Sequence, residues 1–124
     1  VWESAMFAAH YQLDNLVYIV DNNNLQIDGP ITQVMSPYPI DKKFEAFGWH
    51  VICIDGHDYD QIEKAFDESE KISGQPTVII LKTTKGKGVS YMENNVSWHG
   101  TAPNEEQYNI AMNELKAHLA ELEK

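Results

Sequence analysis

Three β-rich runs recur along the chain: LVYIVD at 16–21, HVICID at 50–55 and PTVIILKT at 76–83. A strand of consecutive apolar residues has both faces to bury, which is the pattern of a parallel sheet covered by helices on each side. The segments between the runs have helical character. WESAMFAAHYQ at 2–12 sets Met6, Ala9 and Tyr11 among good helix formers. DKKFEAF at 41–47 forms a short helix closed by Gly48. Asp58 is placed to cap a helix over 59–72, with Ile62, Phe66 and Ile72 on its apolar side. A final amphipathic helix spans 104–123, with Tyr108, Met112, Leu115, Leu119 and Leu122 inward. Strands alternating with helices predict an α/β fold: a parallel sheet, flanking helices and right-handed crossovers.

Two long loops interrupt this alternation, at 22–39 and 84–103. The first contains Asn-Asn-Asn, Asp-Gly-Pro and two further prolines, all turn formers. Both loops follow strands, so both leave carboxyl ends of the sheet, where α/β folds bind their ligands. Loops of such length inside a compact domain are usually functional. No repeat or low-complexity tract is visible, and 124 residues make one domain.

Composition removes several function classes. The net charge is −10 and all nine basic residues are lysine, which argues against general nucleic-acid binding. Much of the acid lies at 58–70 and 105–123, on solvated helix faces. No apolar run approaches the roughly 20 residues of a membrane span, and no signal peptide is visible. The single cysteine, Cys53, sits in an apolar run and reads as a small core residue, so neither a disulfide framework nor a zinc site is available. The sequence begins at Val1, directly in a helical pattern, and reads as part of something longer.

Three stretches can carry chemistry. DNNNLQIDG at 21–29 puts three amides where a strand stops. Asparagine serves turns there, but an amide oxygen also suits a hard cation whose charge is balanced by a diphosphate. KTTKGKG at 82–88 combines glycines, which admit close backbone approach, with lysine point charges. It lacks the Gly-Lys-Ser/Thr ending of a P-loop, and a flexible surface loop has the same look. SWHG at 97–100 places His99 in the same loop as those lysines. His10 and His118 lie in helices, His50 opens a strand and His57 sits in a helix-capping turn.

WESAMFAAHYQLDNLVYIVDNNNLQIDG, AFGWHVICIDGHD, KTTKGKGVSYMEN and SWHGTAPN, in that order, together resemble transketolase across essentially the whole chain. The likeness is greatest to the N-terminal subunit of split, two-chain transketolases. It implies one partial diphosphate-binding domain over residues 1–124, with thiamine diphosphate and Mg2+ as cofactors. Asn23 matches the family's magnesium-ligand asparagine, and Leu25 the residue that lends a backbone carbonyl. Ile27 matches a residue packed on the cofactor. Lys85 matches a lysine of the animal-like members. His99 matches the histidine that touches the diphosphate and the sugar, although Gly100-Thr101 departs from the glycine-lysine that often follows it. Glu3 matches a glutamate of a buried acidic network joining the two active sites of the dimer; without the family it is simply a first-turn helix acid. The motif's opening Gly-Asp-Gly, with a further metal-ligating aspartate, is expected just before Val1.

The implied reaction moves a two-carbon ketol unit from a ketose phosphate to an aldose phosphate, in the cytoplasm and the pentose phosphate pathway. The implied partner is an aminopyrimidine-binding C-terminal subunit or domain, in a homo- or hetero-oligomer. No nucleic acid or membrane partner is expected. The chain alone is expected to be inactive and to bind cofactor negligibly. Two rivals remain: a deoxyxylulose phosphate synthase-like enzyme using the same cofactor, and a non-catalytic assembly domain that keeps the fold.

Overall fold

The computed structural model describes residues 1–123, and they fall into two compact units. The first is formed by Val1–Asn23 and Met35–Thr83, the second by Asn24–Val34 and the chain from Thr84 onward.

The first unit is a three-stranded sheet in the order β1-β5-β4, with β1 at Val17–Asn22, β4 at His50–Asp55 and β5 at Thr77–Lys82. Both pairings are parallel: Val17 and His50 flank Thr77, and Asn22 and Asp55 flank Lys82. The central strand is β5, and its alternation supplies two cores. Val78 and Ile80 join Ala5, Ala8, Ile40, Phe44 and Trp49, which come from helix α1 (Trp2–His10), helix α3 (Ile40–Ala46) and the turn before β4. On the opposite face Ile79 packs with Ile52 and with Ala65 of helix α4 (Tyr59–Ser69). The rings of Trp2, Tyr18 and Trp49 lie 5.5, 5.8 and 5.2 Å from that of Phe44. The Trp49 indole donates a buried hydrogen bond of 2.9 Å to the Ala5 carbonyl, tying α1 to the entry of β4.

Helix α4 begins as its sequence predicts. The Asp58 carboxylate accepts from the Gln61 amide at 3.1 Å and from the Gln61 side chain at 2.7 Å. The side-chain bond, then the backbone bond, hold that carboxyl below its ordinary range.

Two sequence expectations fail for one reason, strand order. LVYIVD was expected to be buried on both faces, but β1 is an edge strand of this sheet and leaves Tyr18 and Ile19 40% and 47% exposed. Cys53 was expected in the core and is exposed, because β4 is the other edge. Partial burial of its thiol, then Asp41, pushes the thiol pKa up, so it is no activated thiolate. A third expectation fails on helix α4. Phe66 was expected on its apolar side, yet it is 42% exposed, because the small residues Ala65 and Ser69, one turn apart, form the buried face.

The second unit holds a two-residue-per-strand hairpin, β2 (Leu25–Gln26) and β3 (Gly29–Pro30), where the sequence suggested only loop. A single helical turn, α2 (Ile31–Val34), follows it. The unit ends in helix α5 (Glu105–Leu122), opened by a capping box in which Asn104 and Gln107 satisfy each other's backbone amides. Of its expected apolar stripe, Met112 is half-buried, while Tyr108, Leu115, Leu119 and Leu122 are exposed; Ala111 is the buried residue.

Candidate functional site

Two connections leave the carboxyl edge of the first unit's sheet side by side. Asn22 and Lys82 are the last paired residues of β1 and β5, and the Thr83 amide extends the ladder by donating to the Asn22 carbonyl at 3.4 Å. The Thr83 hydroxyl also donates to the Asp21 carboxylate. Asn23 is the first residue beyond β1, and it is half-buried. Asn24 takes a left-handed conformation (φ 62°), which asparagine tolerates better than most side chains. The amide triplet therefore does two jobs: Asn24 turns the chain, while Asn22 and Asn23 remain at the strand end.

Leu25, Ile27, Lys85 and His99 all belong to the second unit. Leu25 opens the hairpin, paired with Pro30, and Ile27 stands at its tip, 66% exposed. The Asn24 carbonyl accepts from the Ile31 amide at 3.0 Å and closes the hairpin's base. His99 ends a 3-10 turn (Val96–His99) whose first residues are held by the Asn95 side chain, and it is exposed. Trp98 packs against Tyr91 at 5.0 Å between ring centroids, and the Tyr91 hydroxyl donates to the Gln107 carbonyl at 2.8 Å. The turn bearing His99 is thus anchored to the start of α5. Glu3 lies in the first turn of α1 with an exposed side chain.

The lysine-glycine loop is internally bonded. The Lys85 carbonyl accepts from the Asn94 amide at 3.0 Å, and the Gly88 amide donates to the Glu93 carboxylate at 3.0 Å. Lys87 lies 3.7 Å from the same carboxylate. Ser90 donates twice to Glu114, which holds that carboxyl below its ordinary range. Gly86 is required here: its φ is +72° and a Cβ would lie 2.6 Å from the Met92 carbonyl oxygen. Gly86→Ala should destabilise this loop by about 2 kcal/mol through backbone strain. Faster hydrogen exchange over residues 85–95 with a lowered melting temperature is the expected result; unchanged exchange would contradict it.

Among the described residues no cluster of three or more His, Cys, Asp or Glu is arranged to hold a metal. Neutral amide and carbonyl oxygens, such as the sequence motif at 21–29 supplies, fit a hard cation that brings its own anionic ligand, as Mg2+ does with a diphosphate, and do not fit a bare transition-metal site.

One bond at this edge was invisible in the sequence. The Tyr38 hydroxyl donates to Asn22 Oδ1 at 2.8 Å across 16 residues. Pro37-Tyr38-Pro39 reads only as loop, and no periodicity signals the contact. Two other histidines make structural contacts: His50 meets Glu68 at 2.7 Å, and His10 packs on Tyr11 at the end of α1.

Residues 1–120 match the family described as transketolase, thiamine diphosphate binding domain. The chain is 41% identical to the 6-deoxy-6-sulfo-D-fructose transketolase subunit of a Clostridium species, covering 94% of this chain and 42% of that one. It is 41% identical to one of the apulose-4-phosphate transketolase subunits of Phocaeicola vulgatus, covering 100% and 44%. It is 48% identical to human transketolase over 81% of this chain and 16% of that one. It therefore spans less than half the length of these relatives. Among solved structures, transketolase from Campylobacter jejuni superposes with a TM-score of 0.84 at 35% identity, over 91% of this chain and 18% of that one. Among the described residues no helix is long and apolar enough to cross a membrane.

Proposed function

Because the chain belongs to the transketolase family and to its thiamine diphosphate-binding domain, we propose that the complete protein transfers a two-carbon ketol unit from a ketose phosphate to an aldose phosphate. The observation that carries this reading is the family match over residues 1–120. The parallel pairing of β1 and β5, which sends both motif-bearing loops from one edge, supports it. We read residues 1–124 as part of a single diphosphate-binding domain.

Asn23, through its side-chain oxygen, and Leu25, through its carbonyl, would hold Mg2+. Ile27, exposed at the hairpin tip, would pack on the cofactor. Lys85 would add positive charge near the diphosphate, and His99 would orient the sugar. Thiamine diphosphate, when bound, supplies the electron sink for cleavage beside a carbonyl. Glu3, exposed on α1, is assigned to a contact between subunits. Two relatives are named as transketolase subunits, which favours a separate partner chain; to that partner we assign the aminopyrimidine-binding domain, and to the assembly an oligomeric state in the cytoplasm.

The test is the complete enzyme with its partner, stripped of metal and cofactor and then reconstituted. Ketol transfer from a ketose phosphate to an aldose phosphate should return only with both thiamine diphosphate and Mg2+. Tight cofactor binding without transfer between any of a panel of ketose and aldose phosphates would overturn the reading. A changed acceptor preference would point to the deoxyxylulose phosphate synthase-like alternative.

A further inference from the structure

We propose that Tyr38 is a positioning residue for the cation ligand Asn23, acting through Asn22. The inference rests on the reading of Asn23 as a ligand given above.

Tyr38 is itself held firmly. It packs against the aromatic core around Phe44 and Trp49. The Lys43 ammonium donates to the Pro37 carbonyl at 2.5 Å and reaches the Tyr38 carbonyl at 3.5 Å. The same ammonium lies 5.7 Å from the centre of the Trp2 ring. Ring and main chain are therefore both restrained, and the hydroxyl is delivered to Asn22 Oδ1 as a part-buried bond of 2.8 Å.

Asn22 is the last residue of β1, and Asn23 inherits its direction. On the sheet side, the Asn22 carbonyl is held by a long 3.4 Å bond from the Thr83 amide. The Tyr38 bond is the shorter of the two and acts on the side chain. Beyond Asn23 the left-handed Asn24 turns the chain away. Asn23 thus stands between a clamped residue and a committed turn. A ligand oxygen is useful only when held within about 0.5 Å of its working position, and partners that orient ligands are worth roughly 10–100-fold in metal affinity. Phenylalanine at position 38 keeps the ring packing and deletes only the hydroxyl, so it separates positioning from core packing.

The experiment uses the complete enzyme, saturated with thiamine diphosphate, with Mn2+ as the probe and its free concentration read by electron paramagnetic resonance. Tyr38→Phe should weaken Mn2+ binding about tenfold with a melting temperature near that of the parent. Asn22→Ala, which removes the acceptor, should do the same. The double variant should lose no more than either single variant, because both remove one bond. Asn23→Ala tests the ligand reading separately. If it weakens Mn2+ while Tyr38→Phe and Asn22→Ala stay within about twofold of the parent, only the positioning role is overturned. Additive losses in the Tyr38–Asn22 double variant overturn that role too. Unchanged Mn2+ affinity in Asn23→Ala overturns the ligand reading and this inference with it.

Discussion

His99→Ala in the complete enzyme should lower turnover about a hundredfold and leave the fold intact. An imidazole can donate from one nitrogen while accepting at the other, which suits a group placed between a diphosphate and a sugar. A hydrogen bond that strengthens as charge grows on the carbonyl oxygen stabilises the transition state more than the bound substrate. Removal of one such donor costs on the order of 3 kcal/mol. The fold should not suffer, because His99 is exposed at the end of a 3-10 turn, and that turn is anchored instead by Asn95 and by Trp98 against Tyr91. Turnover and donor KM measured on the variant decide the matter. A rate within about twofold of the parent would reject the role assigned to His99.

Phe44→Ala should have the larger effect on stability, about 4 kcal/mol. Phe44 is 2% exposed and is ringed by Trp2, Tyr18 and Trp49. Truncation removes transfer free energy and leaves a cavity that aromatic neighbours from α1, β1 and the entry of β4 cannot all close at once. Phe66→Ala is the matched control. That ring lies on the outer side of α4, so its loss should cost less than about 1 kcal/mol. Denaturant unfolding of the complete protein, followed by tryptophan fluorescence, compares the two. Equal losses would mean that the buried side of α4, or the aromatic core, is wrongly assigned.

Those two phenylalanines mark how far the sequence could be read. The alternation of β-rich runs with helical segments located every strand of the sheet and every long helix within one to three residues, and Asp58 was legible as a cap because its carboxylate needs only a local amide. The hairpin Leu25–Pro30 was not, since two-residue strands carry no periodicity and Asp28-Gly29 reads equally as loop. The candidate site was legible as motifs: the amide triplet, the lysine-glycine loop and His99 all announced themselves by residue type. That the strands before the two long loops end at one sheet edge followed from reading the sheet as parallel, and the pairing of Asn22 with Lys82 agrees with it.

What the sequence determined by itself was local: where the backbone extends, where it coils, and where it turns. Only the tertiary structure decided which strand is central. Placing β5 between β1 and β4 gives residues 77–80 two covered faces and leaves Ile19 and Cys53 exposed, although all three runs are similarly apolar. It also decided that Tyr38 reaches Asn22 across 16 residues. The physical reason is the same in both cases. Periodicity records which way successive side chains point, whereas burial and long-range hydrogen bonds depend on what the rest of the chain brings alongside.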